Sequence, residues 1–288
     1  MQNRLPLWFR QELPDKATLE KVQRLKALKI NTVCQEALCP NLSSCFNKDK
    51  LTFMILGNSC TRACRFCAVD KANNKSPALD QDEPRRIAET VRELGLSYVV
   101  ITSVTRDDLA DGGAQIFAAT ISLIHRLKRR IRIEVLIPDF GGSIYSLNCV
   151  LGASPDVVSH NIETVSTLYA GLRPNSDYQL SLEVLSAIKK IRPATITKSS
   201  MMLGFGESQK EVIGAMRDLK QSRCDILTLG QYLAPSKEHY PVKNFISEEK
   251  FTRYKEIAFT LGFKAVLSGP LVRSSYQAEE VYREVAYA

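Results

Sequence analysis

The stretch Leu51-Thr52-Phe53-Met54-Ile55-Leu56-Gly57-Asn58-Ser59-Cys60-Thr61-Arg62-Ala63-Cys64-Arg65-Phe66-Cys67 decides the fold. It opens on an apolar run, Leu51–Leu56, and passes into a loop whose cysteines are spaced C-x3-C-x2-C. Near-continuous apolar runs, rather than strict alternation, are what parallel strands covered on both faces require. Further strand-like runs follow at Tyr98–Thr102, Ile131–Ile137, Asp156–Ser159, Thr195–Leu203, Asp225–Leu229 and Ala265–Leu267. Between them lie charged segments with apolar residues at helical spacing: Pro84–Leu94, Gly113–Arg129, Asp177–Lys190, Ser208–Gln221 and Glu248–Leu261. Strand–helix alternation at this spacing predicts an α/β fold of βα units, a partial or closed TIM-like (β/α) barrel. An open doubly wound sheet is the competing arrangement. Upstream, Lys16–Ile30 reads as a helix on Leu19, Val22, Leu25 and Leu28, with Pro14-Asp15 as its start signal. The chain then divides into an N-terminal extension (1–50), a barrel (51–262) and a C-terminal segment (263–288) that closes over it.

Three thiolates on one tight loop can hold three irons of a 4Fe–4S cube, because soft sulfur ligands suit that cluster. The fourth iron then has no cysteine and is open to a small molecule, as an open zinc position takes water. Structural zinc is the alternative. It wants four ligands, and the three histidines, His125, His160 and His239, are remote from the loop in sequence. Disulfides would leave one of three cysteines unpaired. The loop follows a barrel's first strand, which places it at the usual active-site mouth. A second set, Cys34-x4-Cys39-x5-Cys45, again offers three cysteines and no local fourth, so two clusters are expected. Cys149 and Cys224 read as small buried side chains, and His160 as a hydrogen-bonded structural residue.

At 44% hydrophobic and 24% charged residues the chain is ordinary for a globular enzyme, which excludes extensive disorder. No stretch approaches the roughly 18 apolar residues of a membrane helix. Met1 to Arg10 carries no apolar core or small-residue cleavage site, so cytoplasmic placement is expected. The net charge of +8 fits a basic enzyme or an anionic partner. The basic run from His125 to Arg130 reads as the solvated end of a helix, and neither nucleic acid nor membrane is expected as a partner.

The Cys60–Cys67 loop, at the end of a first strand, resembles that of the radical S-adenosylmethionine (SAM) superfamily. The Cys34, Cys39 and Cys45 spacing resembles the lipoyl synthase family within it. The likeness runs from about Thr32 to Glu279. It is carried also by Phe53–Gly57, Thr102–Leu109, Asp111–Ala114, Glu134–Phe140, His160–Val165, Cys224–Leu233 and Arg273-Ser274-Ser275-Tyr276. Phe46 stands where the family has tryptophan, and Ser200 where it has glycine.

The resemblance implies a barrel of radical SAM type and two 4Fe–4S clusters. One, on Cys60, Cys64 and Cys67, would bind SAM through its open iron and cleave it to methionine and a 5′-deoxyadenosyl radical. The other, on Cys34, Cys39, Cys45 and Ser275, would be the auxiliary sulfur donor. The implied activity inserts two sulfur atoms at the sixth and eighth carbons of a protein-bound octanoyl group. Asn161, Glu163, Arg173 and Lys198, with Gly204, Gly206 and Glu207 of a strand-to-helix turn, are the candidate contacts to SAM or substrate. The implied partners are an octanoylated lipoyl carrier domain or glycine-cleavage H protein, a reductant such as ferredoxin or flavodoxin, and an iron–sulfur carrier for cluster repair. Rival readings are another sulfur-inserting radical SAM enzyme such as a methylthiotransferase, a non-catalytic iron–sulfur electron carrier, and a zinc-bearing nucleic-acid binder. The last two should lack the succession of strand-like runs.

Overall fold

The computed structural model describes residues 6–9, 11, 13–72, 76–127 and 130–287. In chain order its strands are β1 (Asn31–Thr32), β2 (Thr52–Ile55), β3 (Ser59–Cys60), β4 (Asp70–Lys71), β5 (Tyr98–Ser103), β6 (Arg132–Leu136), β7 (Val157–Ser159), β8 (Ile196–Leu203), β9 (Ile226–Gln231) and β10 (Ala265–Gly269). Its α-helices are α1 (Lys16–Ala27), α2 (Val33–Glu36), α3 (Leu42–Phe46), α4 (Glu83–Glu93), α5 (Ala114–His125), α6 (Ile144–Gly152), α7 (Ser166–Leu172), α8 (Tyr178–Ile191), α9 (Gln209–Gln221), α10 (Glu248–Thr260) and α11 (Ala278–Ala286).

Each apolar run of the sequence becomes a strand of one sheet, ordered β1-β2-β5-β6-β7-β8-β9-β10. From β2 to β10 every strand is parallel to its neighbour; only β1 is antiparallel, pairing Asn31 with Met54. Each strand after β2 lies beside its predecessor in the sheet, whereas a doubly wound sheet would reverse order at a switch point. The edge strands β1 and β10 are not paired with each other among the described residues, so the barrel is partial.

Helix starts follow local chemistry. Asp15, Asp177, Ser208 and Ser247 cap α1, α8, α9 and α10 by accepting a backbone N–H three residues on. Lys29, at φ 53, ends the α1 segment short of the Ile30 read from the pattern. The basic end read after α5 falls partly on Lys128 and Arg129, and that part, like most of Met1–Arg10, lies outside the described residues. Helices α6, α7 and α11 and the small β3–β4 ribbon are additions to the sequence reading. Strand β10 belongs to the sheet, although the sequence division put 263–288 outside the barrel.

The crossover helices cover one face of the sheet, packing on Phe53, Ile55, Val99, Ile101, Ile133, Val135 and Val158. The alternate residues Tyr98, Glu134, Ser159 and Lys198 therefore share the concave face. There Val281 of α11 packs against Ile226 and Ala265. No helix among the described residues is long and apolar enough to cross a membrane.

Candidate active site

Leu56 and Gly57 end β2 with positive φ values of 68 and 84, turning the chain into the cysteine loop. Gly57 sits at a turn that disfavours a Cβ. The Glu83 carboxylate secures this turn by accepting the Leu56 N–H at 2.7 Å. The β3–β4 ribbon closes the loop's base, where Ala72 N donates to Cys60 O at 2.8 Å. The Cys60 sulfur accepts N–H groups from Arg62 at 3.4 Å and Thr105 at 3.3 Å. Burial, with smaller contributions from nearby Cys64 and Cys60, pushes the Cys67 thiol up to about 12. Burial also raises Cys64, opposed by the guanidinium of Arg173 within hydrogen-bond reach of its sulfur.

Asn161, Glu163 and Arg173 are brought together beside this loop. Asn161 Nδ2 donates to Glu163 Oε1 at 3.0 Å, and Arg173 donates to Asn161 O at 3.2 Å and to the Tyr169 hydroxyl. Glu163 adopts φ 66 in a bridge to Met201. Burial raises its carboxyl against the pull of Arg173. Arg173 Nε is buried without a hydrogen-bond partner among the described residues. Ser274 Oγ donates to Asn161 Oδ1 at 3.0 Å, which draws the C-terminal segment into the same group.

The other candidates are placed differently. Glu207 folds back on its own turn, accepting the N–H groups of Gly204 at 2.7 Å and Phe205 at 2.9 Å. A Cβ on Gly204 would meet Gln231 Nε2 at 2.1 Å, so this turn needs glycine to let β9 approach. Lys198 is 1% exposed on the concave face and pairs with Glu134 at 2.8 Å. Tyr98 and Ser159 hydroxyls donate to the same carboxylate at 2.8 and 3.1 Å. The Lys198 ammonium, read from the sequence as a contact for SAM or substrate, is thus held here in an internal pair.

The second cysteine set lies toward the opposite end of β2. Cys34, Cys39, Cys45, Thr52, Arg273 and Ser275 line one cavity of about 300 Å³. Within this lining Thr52 Oγ1 donates to Ser275 Oγ at 2.8 Å. Burial pushes Cys34 up to about 12 and Cys45 up to about 11. Asn41 Nδ2 binds Leu271 O at 2.6 Å, fastening the cysteine loop to the C-terminal segment. Burial lowers the Arg273 guanidinium, opposed by Cys39 and Glu163, both near enough to act on its charge. Phe46, in the family's tryptophan position, is fully buried beneath this loop.

Among the described residues no three His, Cys, Asp or Glu side chains converge tightly enough to hold a single ion. The donor sets suit clusters: each is three thiols, burial raises Cys34, Cys45, Cys64 and Cys67 so that bound metal must displace their protons, and two backbone N–H groups point at the Cys60 sulfur. His239, remote in sequence, bonds Cys67 O through Nε2 at 3.2 Å, with Nδ1 on Ser236 at 2.9 Å, so both nitrogens are engaged. The sequence reading missed Arg62, Asp107 and Asp139, which grip the first loop, and Thr52 and Asn41, which organise the second. Arg62 stood inside the quoted motif; Thr52 carried no signal beyond its strand.

The model of the radical SAM superfamily matches residues 54–219. The chain is 49% identical to lipoyl synthase of Caldanaerobacter subterraneus subsp. tengcongensis over 97% of each chain. It is 50% identical to lipoyl synthase of Caldicellulosiruptor saccharolyticus over 97% of this chain and 98% of that one. In fold it resembles the FeFe-hydrogenase maturase of Carboxydothermus hydrogenoformans, with TM-score 0.59 and 14% identity over 81% of this chain and 56% of that one. With relatives this similar along nearly its whole length, the chain belongs to the lipoyl synthase family of the radical SAM superfamily.

Proposed function

We infer that this chain inserts two sulfur atoms into an octanoyl group carried on a protein, yielding a lipoyl group, with SAM and two 4Fe–4S clusters as cofactors. The observation that carries the reading is the pair of three-cysteine sets at opposite ends of β2 in a chain of this family. Cys60, Cys64 and Cys67 would hold the SAM-binding cluster, and Cys34, Cys39, Cys45 and Ser275 the auxiliary one. When bound, the first cluster with SAM supplies hydrogen abstraction from unreactive carbon, and the second supplies sulfur. A strand rises about 3.3 Å per residue, so β2 alone separates its ends by on the order of 10 Å, a gap that an alkyl chain can occupy. Asn161 and Glu163 offer polar contacts for a ribose, and Arg173, whose Nε is buried without a partner among the described residues, stands beside them. Glu207 supports the turn that carries Gly204 and Gly206, whose backbone would face the cofactor.

The carrier is a lipoyl domain or H protein, which the net charge of +8 suits if its docking face is acidic. A ferredoxin or flavodoxin supplies electrons, and an iron–sulfur carrier restores the consumed cluster. Thiols that must stay reduced to hold iron suit the cytoplasm. The test is anaerobic reconstitution, iron and sulfide analysis, and incubation with SAM, reductant and an octanoyl-lysyl peptide. Lipoyl peptide with 5′-deoxyadenosine is the expected result; SAM cleavage that leaves the peptide unsulfurated in every reconstituted sample contradicts the reading.

A further inference from the structure

We propose that Arg62 is the positioning residue of the SAM-binding cluster and sets that cluster's reduction potential. The proposal rests on Cys60, Cys64 and Cys67 being its ligands. The Arg62 side chain is 8% exposed and turns away from the loop into a clamp between two barrel loops. Its Nε and Nη2 donate to Asp107 at 3.0 and 2.9 Å. The same Nη2 reaches Asp139 Oδ1 at 2.7 Å, while Nη1 pairs with Asp139 Oδ2 and bonds Ser176 Oγ at 3.2 Å. Asp107 follows β5 and Asp139 follows β6, so one guanidinium ties the cysteine loop to both.

The clamp ends on sulfur. The Arg62 backbone N–H donates to Cys60 Sγ at 3.4 Å. The other N–H on that sulfur, from Thr105 at 3.3 Å, belongs to a loop stitched to Thr61. Thr61 N binds Thr105 O at 3.0 Å, and Thr61 Oγ1 binds Asp107 at 2.9 Å. Both donors to Cys60 are therefore held by groups that converge on Arg62 and Asp107. Hydrogen bonds to sulfur and local net charge are the protein's levers on an iron–sulfur potential. Here one cation faces two carboxylates, one of them 1% exposed, where charge is weakly screened. A loop anchor without electrostatic effect would respond alike to loss of either partner. A charge balance predicts opposite signs.

The experiment uses the full chain with Cys34, Cys39 and Cys45 all replaced by alanine, reconstituted anaerobically so that one cluster titrates. Its midpoint potential is read by EPR during reductive titration. Arg62→Gln should lower the potential, since two carboxylates lose their counter-charge. Asp107→Asn should raise it, and the double variant should fall between. Unchanged potentials, or shifts of the same sign, overturn the proposal. If Arg62→Gln takes up no cluster, Asp107→Asn decides alone: a raised potential supports the proposal, an unchanged or lowered one overturns it. A parent chain without any reducible cluster contradicts the ligand assignment and the proposal with it, whereas a parent that titrates while its variants do not shift contradicts the proposal alone.

Discussion

Thr52 Oγ1 donates a hydrogen bond to Ser275 Oγ at 2.8 Å, across 223 residues of chain. Thr52 opens β2, and the loop after β2 carries Cys60, Cys64 and Cys67. The C-terminal segment thus returns to the far end of the strand that launches the first cysteine set. On the way Ser274 touches Asn161 and Leu271 is held by Asn41, so the segment spans both groups. The price of closing so long a loop grows only slowly with its length.

A serine hydroxyl is a harder donor than thiolate and a poorer match for iron. Ser275→Ala should cut sulfur insertion by about 10–100-fold, the scale on which support of a metal site acts. Iron per chain should fall toward the content of one cluster while SAM cleavage persists. In the unaltered chain, turnover should stop near a single product per chain unless an iron–sulfur carrier is supplied. Many products with intact iron content and no carrier would contradict the assignment of the auxiliary cluster as sulfur source.

Lys198 and Glu134, 1% and 2% exposed, form a pair deep on the concave face. Lys198→Met leaves a buried carboxylate with only hydroxyl donors and should cost about 3–5 kcal/mol. Adding Glu134→Leu should recover most of that loss. Urea unfolding of the cluster-free chain checks both. A Lys198→Met chain of undiminished stability that fails to bind SAM would contradict the purely internal role and support a cofactor contact.

Burial, with Arg173 nearby, drives His160 from 6.5 down to about 4, opposed by its bond to Ile137 O. Its Nε2 is buried without a partner among the described residues. The folded pKa is depressed, so the unfolded chain binds the proton first as pH falls. The site's contribution is complete above pH 6.5, is lost progressively between 6.5 and about 4, and changes no further below. The loss is on the order of 3 kcal/mol. Unfolding midpoints of the cluster-free chain and of His160→Asn, compared across that window, should converge as pH falls; parallel profiles would count against a neutral buried His160.

Carrier binding should weaken with salt. Charges on exposed surfaces are screened beyond about 8 Å at physiological ionic strength, and more strongly above it. If the carrier's docking face is acidic, as proposed, the net charge of +8 should make the dissociation constant rise several-fold between low and high salt. Constancy over that range, measured by titration with an octanoylated carrier, removes the electrostatic argument.

The strands were legible because each is a short apolar run set between helical patterns, and the sheet is a sum of such local signals. Both cysteine sets were legible because their spacing is local. Helix α11 was not read: its apolar positions, including Val281 and Tyr282, gain meaning only when it packs on the concave face. The Lys198 pair was not legible, because Glu134, its partner, is 64 residues away. The Arg62 clamp stayed hidden for the same reason, its carboxylates lying 45 and 77 residues on.

The most direct measurement compares Cys64→Ala with Cys39→Ala, each reconstituted anaerobically and given SAM, reductant and octanoyl-lysyl peptide. Cys64→Ala should form neither 5′-deoxyadenosine nor lipoyl product. Cys39→Ala should still form 5′-deoxyadenosine while no sulfur enters the peptide. Lipoyl product from Cys39→Ala would contradict the division of labour between the two ends of β2.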